Sequence, residues 1–365
     1  MFDDKRYFLI KNYLEKLKLN DEIVKYYYGK SILVTGGAGA IGSNLVAALS
    51  LLVGETGKII VLDNLSSYKI KVNWNVPSLP NVLFVEGDVR DENILRRVFK
   101  EGIDIVFHLA AYFANQKSVD YPLVSADVDI SGLIKLLDYS KIAKIEKFIY
   151  ASSGCAIYGS YPRLPLKEEF ISMHLTTPYQ INKMAGELYC NYYFHQYEIK
   201  IVKCRFFNSY GPGEVPGQYR NVIPNFIFWA MNNQPIPITG TGNETRDFTF
   251  VLDLVQGLIK GGYYEKAVGQ EFNIASGKEI KIIELANMII KKLDSKSNIV
   301  FKEKRKWDTK PRLLASIKKA KELIGYHPII KFEDGIDLTI EWFRKNCEQI
   351  RSLADFPPGM NSSIR

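Results

Sequence analysis

Gly36, Gly39 and Gly42 constrain this chain more than any other feature. They follow directly on Ser31-Ile32-Leu33-Val34-Thr35, whose apolar run reads as a buried strand, and they open the amphipathic run Leu45 to Leu52. The order is strand, tight turn, helix. Lacking a Cβ, glycine lets the backbone turn sharply and lie against a pyrophosphate. The helix behind the turn offers that anion unpaired N–H groups and the positive end of its dipole. A glycine pattern alone is a weak sign and fits a turn with no ligand. Here a second piece sits at the expected offset. Lys58-Ile59-Ile60-Val61-Leu62-Asp63 reads as the next strand, and Asp63 closes it 21 residues after Gly42. An acid there accepts hydrogen bonds from an adenosine ribose and repels a 2′-phosphate.

The alternation continues along the chain. Val82 to Val89 reads as a third strand passing an acid, Asp88, and Asp91 is placed to cap a helix running to Lys100. Ile103 to Ala111 is a fourth strand that ends in small residues, leaving room for a flat ligand. Leu123 to Ala143 is helical, Lys147 to Ser153 is a fifth strand ending in hydroxyls, Tyr179 to Tyr197 is a long helix and Lys200 to Phe206 a sixth strand. Strands alternating with helices predict an α/β fold built on a doubly wound parallel sheet, with ligands at the C-terminal ends of its strands. Within residues 1–29, Phe8, Leu9, Tyr13, Leu14 and Leu17 recur at helical spacing and read as one amphipathic helix, followed by a link through Tyr26-Tyr27-Tyr28; the helix packs on this domain or on a partner subunit. Asn64 to Pro80 reads as a loop. Beyond Tyr210, the breaks at Gly211-Pro212-Gly213, Pro216-Gly217 and Pro235-Ile236-Pro237 predict a smaller mixed α/β substrate lobe over 211–350, part of it, around Asp247 to Tyr264, returning to the main sheet. The dinucleotide domain then spans 30–210, and 351–365, with Pro357-Pro358-Gly359, reads as a loose tail.

Composition narrows the class. The 365 residues are 47% hydrophobic and 24% charged, as in ordinary soluble globular proteins. No apolar run approaches the roughly 20 residues that span a bilayer, and Asp3, Asp4, Lys5 and Arg6 stand where a leader would be apolar. Cys155, Cys190, Cys204 and Cys347 match neither a zinc site nor a disulfide framework, which points to a reducing cytoplasm and to no metal. The net charge of +8 comes without a nucleic-acid recognition motif. It fits lysines on solvated faces, such as Lys302-Glu303-Lys304-Arg305-Lys306, plus a few cations for a small anionic substrate.

Tyr179 and Lys183 stand four apart at a helix start, so they share a face. A phenol with its ordinary pKa of about 10 is a poor base, and a nearby ammonium favours its ionised form. Such a pair can move a proton on and off a sugar hydroxyl while hydride leaves the same carbon. A tyrosine and a lysine at this spacing are common by chance. The dinucleotide turn upstream and the hydroxyls of Ser152 and Ser153 are what make the pair a candidate.

Taken in order, Thr35-Gly36-x-x-Gly39-x-x-Gly42, Asp63, Asp88-Val89, His108-Leu109-Ala110-Ala111, Ser152-Ser153 before Tyr158-Gly159, Tyr179-x-x-x-Lys183, Arg205-Phe206-Phe207-Asn208 and Arg246-Asp247-Phe248 resemble one family. It is the extended short-chain dehydrogenases/reductases, in their NAD-dependent nucleotide-sugar epimerase/dehydratase group, and the resemblance runs over about residues 30–345. It implies a Rossmann-type domain with tightly bound NAD. Gly36, Gly39 and Gly42, with Ala40 and Ile41, match the pyrophosphate turn. Asp63, Asn64 and Ser66 match the adenosine-ribose end and Asp88 and Val89 the adenine site. Leu109, Ala110 and Ala111 match the wall along the cofactor. Tyr179 matches the catalytic base and, with Lys183, the nicotinamide-ribose ligands. Asn208, Asn221, Val222, Arg246 and Arg312 match contacts to a nucleotide-diphosphate sugar, with Arg305 a secondary candidate. Read from the residues alone, Arg246 could equally pair with Asp247. The helices Leu123–Ala143 and Tyr179–Tyr197 match those of a homodimer contact.

There are departures from the pattern. Where many relatives carry the catalytic hydroxyl, this chain has Gly154, so the role falls to Ser153, with Ser152 in reserve. The acid pair of the 4,6-dehydratases is replaced by Gly154-Cys155 or Cys155-Ala156, and the decarboxylases' glutamate by Ala156. The reaction that needs least remains: a 4-epimerase that oxidises C4, turns the keto sugar and returns the hydride. A C4 dehydrogenase or another dehydratase on the same scaffold is the alternative, and a non-catalytic NAD-binding protein a third.

Overall fold

The computed structural model describes residues 2–67, 70–160 and 162–356. Pro357-Pro358-Gly359 lies outside them. Its strands are β1 Ser31–Thr35, β2 Lys58–Asp63, β3 Val82–Glu86, β4 Ile105–His108, β5 Lys147–Ser153, β6 Ile201–Phe206, β7 Asn208–Tyr210, β8 Ile236–Thr239, β9 Thr245–Phe250, β10 Glu271–Ile274, β11 Glu279–Lys281 and β12 Ile299–Lys302. Seven of them form one sheet in the order β10-β6-β5-β4-β1-β2-β3, and every neighbouring pair is parallel. The chain winds outward from β1 to β3, then crosses back to β4 on the other side. The switch point therefore falls between β1 and β4, where Thr35 stands opposite His108, and ligands of such sheets bind there.

The strands are apolar runs because both faces of the sheet are covered. Ile32, Val34, Ile59, Val61, Ile105, Phe107 and Val202 pack on one side. Leu33, Ile60, Leu62, Val106, Phe148 and Ile201 pack on the other, against Leu95, Leu136 and Cys190 of the helices Glu92–Phe99, Gly132–Ala143 and Pro178–Tyr197. The first side is covered by helices α1 Asp4–Leu17, α2 Asp21–Tyr27 and α3 Ala40–Val53, and by the helix Val251–Tyr263.

Three elements differ from the expectations. The N-terminal stretch is two helices, not one. Lys18 ends α1 in the left-handed region at φ 46°, and the Asn20 side chain caps α2 by accepting from Glu22 N. Ile10, Tyr13, Leu17, Ile23 and Tyr27 bury both helices on the chain's own core. The segment expected to return to the main sheet covers it as a helix, and β10 supplies a seventh strand that was not anticipated. The predicted helix from Leu123 runs on through one wide π-turn, Asp127–Ser131, which brings Asp129 into the interior.

Only Phe207 separates β6 from β7. The small sheet β11-β9-β7 therefore starts at the C-terminal end of β6, on the ligand edge. It carries Asn208 and Arg246 there, while β8 and β12 pair alongside.

Candidate active site

A cleft of 720 Å³ runs along this edge, lined by Gly36, Gly39, Ala40, Ile41 and Gly42 at one end and by Ser153, Tyr179, Lys183, Asn208 and Arg246 at the other. Gly36 takes φ +71°, and a Cβ on it would stand 2.6 Å from Ala110 N, so only glycine lets the turn lie on the fourth strand's extension. Gly39 is the N-cap of α3 and offers no side chain to the first-turn N–H groups, which leaves them to an anion. Asp63 accepts from Ala38 N at 3.0 Å and Leu65 N at 2.8 Å. Burial pushes its carboxyl up, and the two backbone bonds oppose that shift.

Beside it, Asn64 Nδ2 donates to Asp88 at 2.8 Å, and the Arg90 fork holds both Asp88 oxygens at 2.8 Å. These bonds, Arg90's first, bring the Asp88 carboxyl down to about 2. Ser66, Val89, Leu109, Ala110 and Ala111 complete this wall. Behind it burial, then the Lys183 charge, pushes His108 down to about 3. The ring is neutral and lies 2.7 Å from Thr35 Oγ1. A glycine turn free of side chains, an uncapped helix start and a carboxylate ending β2, all on one cleft, fit a dinucleotide.

At the other end Thr177 caps the helix Pro178–Tyr197, accepting from Gln180 N, and Pro178 takes its first position. One residue later comes Tyr179. Its phenol interacts with the Ser153 hydroxyl, and Lys183 Nζ lies 5.7 Å from its ring centroid. Lys183 Nζ donates to Ala151 O at 2.8 Å. The pair is therefore together, but the expected shift is reversed. Burial pushes the Tyr179 phenol up, the Asp129 carboxylate and Cys155 add to this, and Ser153 opposes it. Burial likewise pushes Lys183 down, against Asp129.

Ser152, the reserve hydroxyl, is committed elsewhere. It donates to Glu187 at 2.6 Å, inside a buried pair that Glu187 makes with the Arg205 fork. Arg205 also reaches Tyr158 Oη and Glu168 O. The Tyr158 and Arg205 motifs thus brace one another beneath the cleft.

Of the sequence-predicted cations, Arg246 lines the cleft. Its partner is Asp308 at 3.1 Å, not Asp247; Asp247 is buried and accepts from the backbone of Ser276, Gly277 and Ala315. Arg312 does not line the cleft. It is exposed and paired with Glu279. Arg305, which the sequence offered both as part of a solvated face and as the secondary diphosphate candidate, lines the cleft, 5.5 Å over the Trp307 ring. Asn221 and Val222 line it too, and Asn221 Nδ2 donates to Glu214 at 2.8 Å.

Four residues escaped the sequence reading. Asp129 faces Lys183 because of the π-turn. Lys310 lines the cleft and donates to Cys155 O; burial pushes its ammonium down to about 8. Cys155 lines it with a thiol pushed up to about 11 by burial. Burial also pushes Glu214 up to about 7. Only Asp129, an acid within an otherwise amphipathic helix, left a signal in the sequence. Among the described residues no group of three His, Cys, Asp or Glu is placed to hold a metal, and no helix is long and apolar enough to cross a membrane.

Comparison with known proteins agrees with this geometry. The UDP-glucose 4-epimerase of Mycolicibacterium smegmatis is 30% identical over 316 residues, covering 87% of this chain and 99% of that protein. The structure of Epimerase Mth375 from Methanothermobacter thermautotrophicus is similar at 49% identity and a TM-score of 0.89, over 92% of this chain and 98% of that one. The Bordetella bronchiseptica enzyme WbmF in complex with NAD+ and UDP is similar at 34% identity and a TM-score of 0.77, over 90% and 96%. The family model for the NAD dependent epimerase/dehydratase family matches residues 32–275. The fold is thus Rossmann-type, the cofactor is NAD, and the chain belongs to the NAD-dependent epimerase/dehydratase family.

Proposed function

We propose that this protein is a nucleotide-sugar 4-epimerase whose substrate is a UDP-sugar. One observation carries the reading: Ser153, Tyr179 and Lys183 meet in a cleft whose neighbouring positions 154, 155 and 156 bring no acid. Dehydration needs an acid to lose a C6 hydroxyl, and decarboxylation needs a positioned carboxylate. Inversion at C4 needs neither.

NAD, when bound, supplies the acceptor and donor of hydride at C4. Tyr179 takes the proton of the C4 hydroxyl and later returns it to the 4-keto oxygen. Burial holds this phenol protonated, so the base form has to be sustained by positive charge, and Lys183 is the cation beside it. Ser153 hydrogen-bonds the same sugar oxygen in both states. Inversion requires that the keto sugar present its other face, so the sugar must be held by something other than its hydroxyls. Arg246 and Arg305 suit that task, because a guanidinium fork meets two diphosphate oxygens at once. The similarity to proteins named for UDP-glucose, and to one solved with UDP, supports the base.

The homodimer belongs to the same reading. Leu123, Ile181, Leu188 and Tyr192 stand exposed on the helices Pro122–Ala126 and Pro178–Tyr197. Such a strip of apolar side chains suits a second copy of the chain.

Incubating the purified protein with UDP-glucose and UDP-N-acetylglucosamine, and following the anomeric protons by NMR, tests the proposal. A C4-inverted product that vanishes in Tyr179→Phe is expected. A keto sugar that accumulates, or stoichiometric NADH, would replace the epimerase by a dehydrogenase or dehydratase. Bound NAD with no turnover of any nucleotide sugar would leave a non-catalytic binder.

A further inference from the structure

Helix α1 buries Arg6 alongside Ile10, Tyr13 and Leu17. A buried guanidinium is costly unless its donors are met. Here the fork is met at three points. Nε donates to Asn44 Oδ1 at 3.1 Å, Nη2 to Ser43 Oγ at 2.5 Å and Nη1 to Asn75 Oδ1. None of these acceptors ends the chain of bonds. Asn44 Nδ2 donates to Ala40 O at 2.8 Å and Pro212 O at 2.9 Å. Asn75 Nδ2 donates to Ala38 O, Gly39 O and Gly213 O at 3.2, 3.3 and 3.1 Å. Gly213 has φ +102°, and a Cβ on it would stand 2.5 Å from Arg6 Nη2. The guanidinium thus occupies the space a side chain at 213 would need. Ala38, Gly39 and Ala40 are the pyrophosphate turn, and Pro212-Gly213 leads into Glu214, which lines the cleft.

We propose that Arg6 is a positioning residue for the dinucleotide seat: it fixes the back of the Gly36–Gly42 turn to the Pro212-Gly213 segment and makes the docking of α1 a condition of tight NAD binding. A glycine-rich turn has few side chains to hold its own conformation, so a ligand that orders it loses affinity. The Arg6 network meets that ordering cost in advance. Its charge acts in the same direction. A cation at the first turn of α3 opposes the helix dipole and gains from an anion bound there. The residue lies outside residues 32–275, the segment that the family model matches, so the role rests on this network and not on the family's glycine motif.

The test uses the full chain as Arg6→Met, Arg6→Lys and Tyr13→Phe. Tyr13 is the control, because its hydroxyl docks the same helix through Asp253 at 2.7 Å without touching the turn. For each variant the NAD retained per chain after dialysis, the NAD affinity of stripped protein by calorimetry and the thermal midpoint are measured. Arg6→Met should bind NAD about tenfold more weakly, the size of one lost charge-assisted bond. Arg6→Lys, with the charge but not the fork, should fall between it and the parent. Tyr13→Phe should lower the midpoint and leave NAD affinity unchanged. If Arg6→Met fails to fold, Arg6→Lys decides. NAD affinity within about twofold of the parent in the Arg6 variants, or an equal loss in Tyr13→Phe, would overturn the proposal and leave Arg6 as a docking contact only. Neither result depends on which sugar is turned over.

Discussion

Phe207 lies so close to Gly154 that a Cβ at position 154 would fall inside the van der Waals surface of its ring. Phe207 is itself buried beside Tyr158 and Leu313, so it has little room to yield. This contact accounts physically for the displaced hydroxyl. The position after β5 cannot carry a threonine or an acid, and the hydroxyl facing Tyr179 comes one residue earlier. Gly154→Thr should therefore cost about 1–3 kcal/mol by overpacking, read as a lowered urea midpoint. It should not introduce dehydratase activity. Combining it with Phe207→Ala should return part of the lost overpacking energy.

Arg246 and Arg312 make a second contrast. Arg246 is held toward the cleft by Asp308 and by the carbonyls of Thr245 and Lys310. Arg312 is an exposed partner of Glu279. Arg246→Leu should raise KM for the nucleotide sugar about tenfold or more, since a charge-assisted fork is lost. Arg312→Leu should leave KM within about twofold, as expected of an exposed ion pair. Initial-rate kinetics on both variants decide it. A large KM effect of Arg312→Leu would move the diphosphate grip outside the cleft.

That contrast also marks where the sequence stops being legible. β1 to β5 were readable because each holds an apolar run that leads into glycine, acid, hydroxyl or small residues at the edge where ligands bind, and β6 because it follows the long helix in the same alternation. The proximity of Tyr179 to Lys183 followed from helical spacing. The segment holding Arg305, Trp307, Lys310 and Arg312 has no helical or strand period, so nothing in it says which cation faces inward. β10 was missed because Glu271-Phe272-Asn273-Ile274 is short and half polar. Asn273 is buried only because it bonds Leu166 O, Ser316 O and Tyr158 Oη, partners 43 to 115 residues away. The inversion of the Tyr179 shift was equally hidden. Spacing reports a neighbouring charge but not the burial that outweighs it.

Glu214 links pH to stability. Burial raises its carboxyl from 4.5 to about 7, against Arg220 and Asn221, and its Oε2 has no hydrogen-bond partner among the described residues. Between these two values the folded chain holds a proton that the unfolded chain has lost, so stability falls as pH rises through this window. Below 4.5 both states are protonated and the effect is absent. Glu214→Gln keeps an acceptor for Asn221 and removes the charge. It should be more stable than the parent at pH 8 by about 3 kcal/mol and equal to it at pH 4. Urea unfolding at the two pH values gives both numbers, and a parent–variant difference independent of pH would contradict the assignment.

The apolar strip on the helix Pro178–Tyr197 predicts the response of the assembly to charge. Leu188 is 62% exposed in the single chain and Leu123 is 84% exposed. Leu188→Glu should leave the thermal midpoint of the isolated chain nearly unchanged, since an exposed position tolerates a charge. In a dimer it should shift sedimentation toward the monomer. A parent protein that sediments as a monomer at micromolar concentration would remove this surface as a self-contact.

Ser152 and Ser153 are neighbours with opposite predicted phenotypes. Both line the cleft, but the Ser153 hydroxyl meets the Tyr179 phenol, while the Ser152 hydroxyl donates into the buried Glu187–Arg205 pair. Removing Ser153's hydroxyl takes away a donor to the oxygen on which charge changes, so Ser153→Ala should lower kcat about 100-fold with little change in the unfolding midpoint. Removing Ser152's leaves a buried carboxylate oxygen one donor short. Ser152→Ala should cost about 1–3 kcal/mol of stability and, well below the midpoint, leave kcat within about twofold of the parent. Measuring both quantities on both variants gives a crossed pattern. If instead Ser152→Ala loses turnover while Ser153→Ala keeps it, the hydroxyl of the reaction is the earlier one, and the geometry around Tyr179 has to open to admit it.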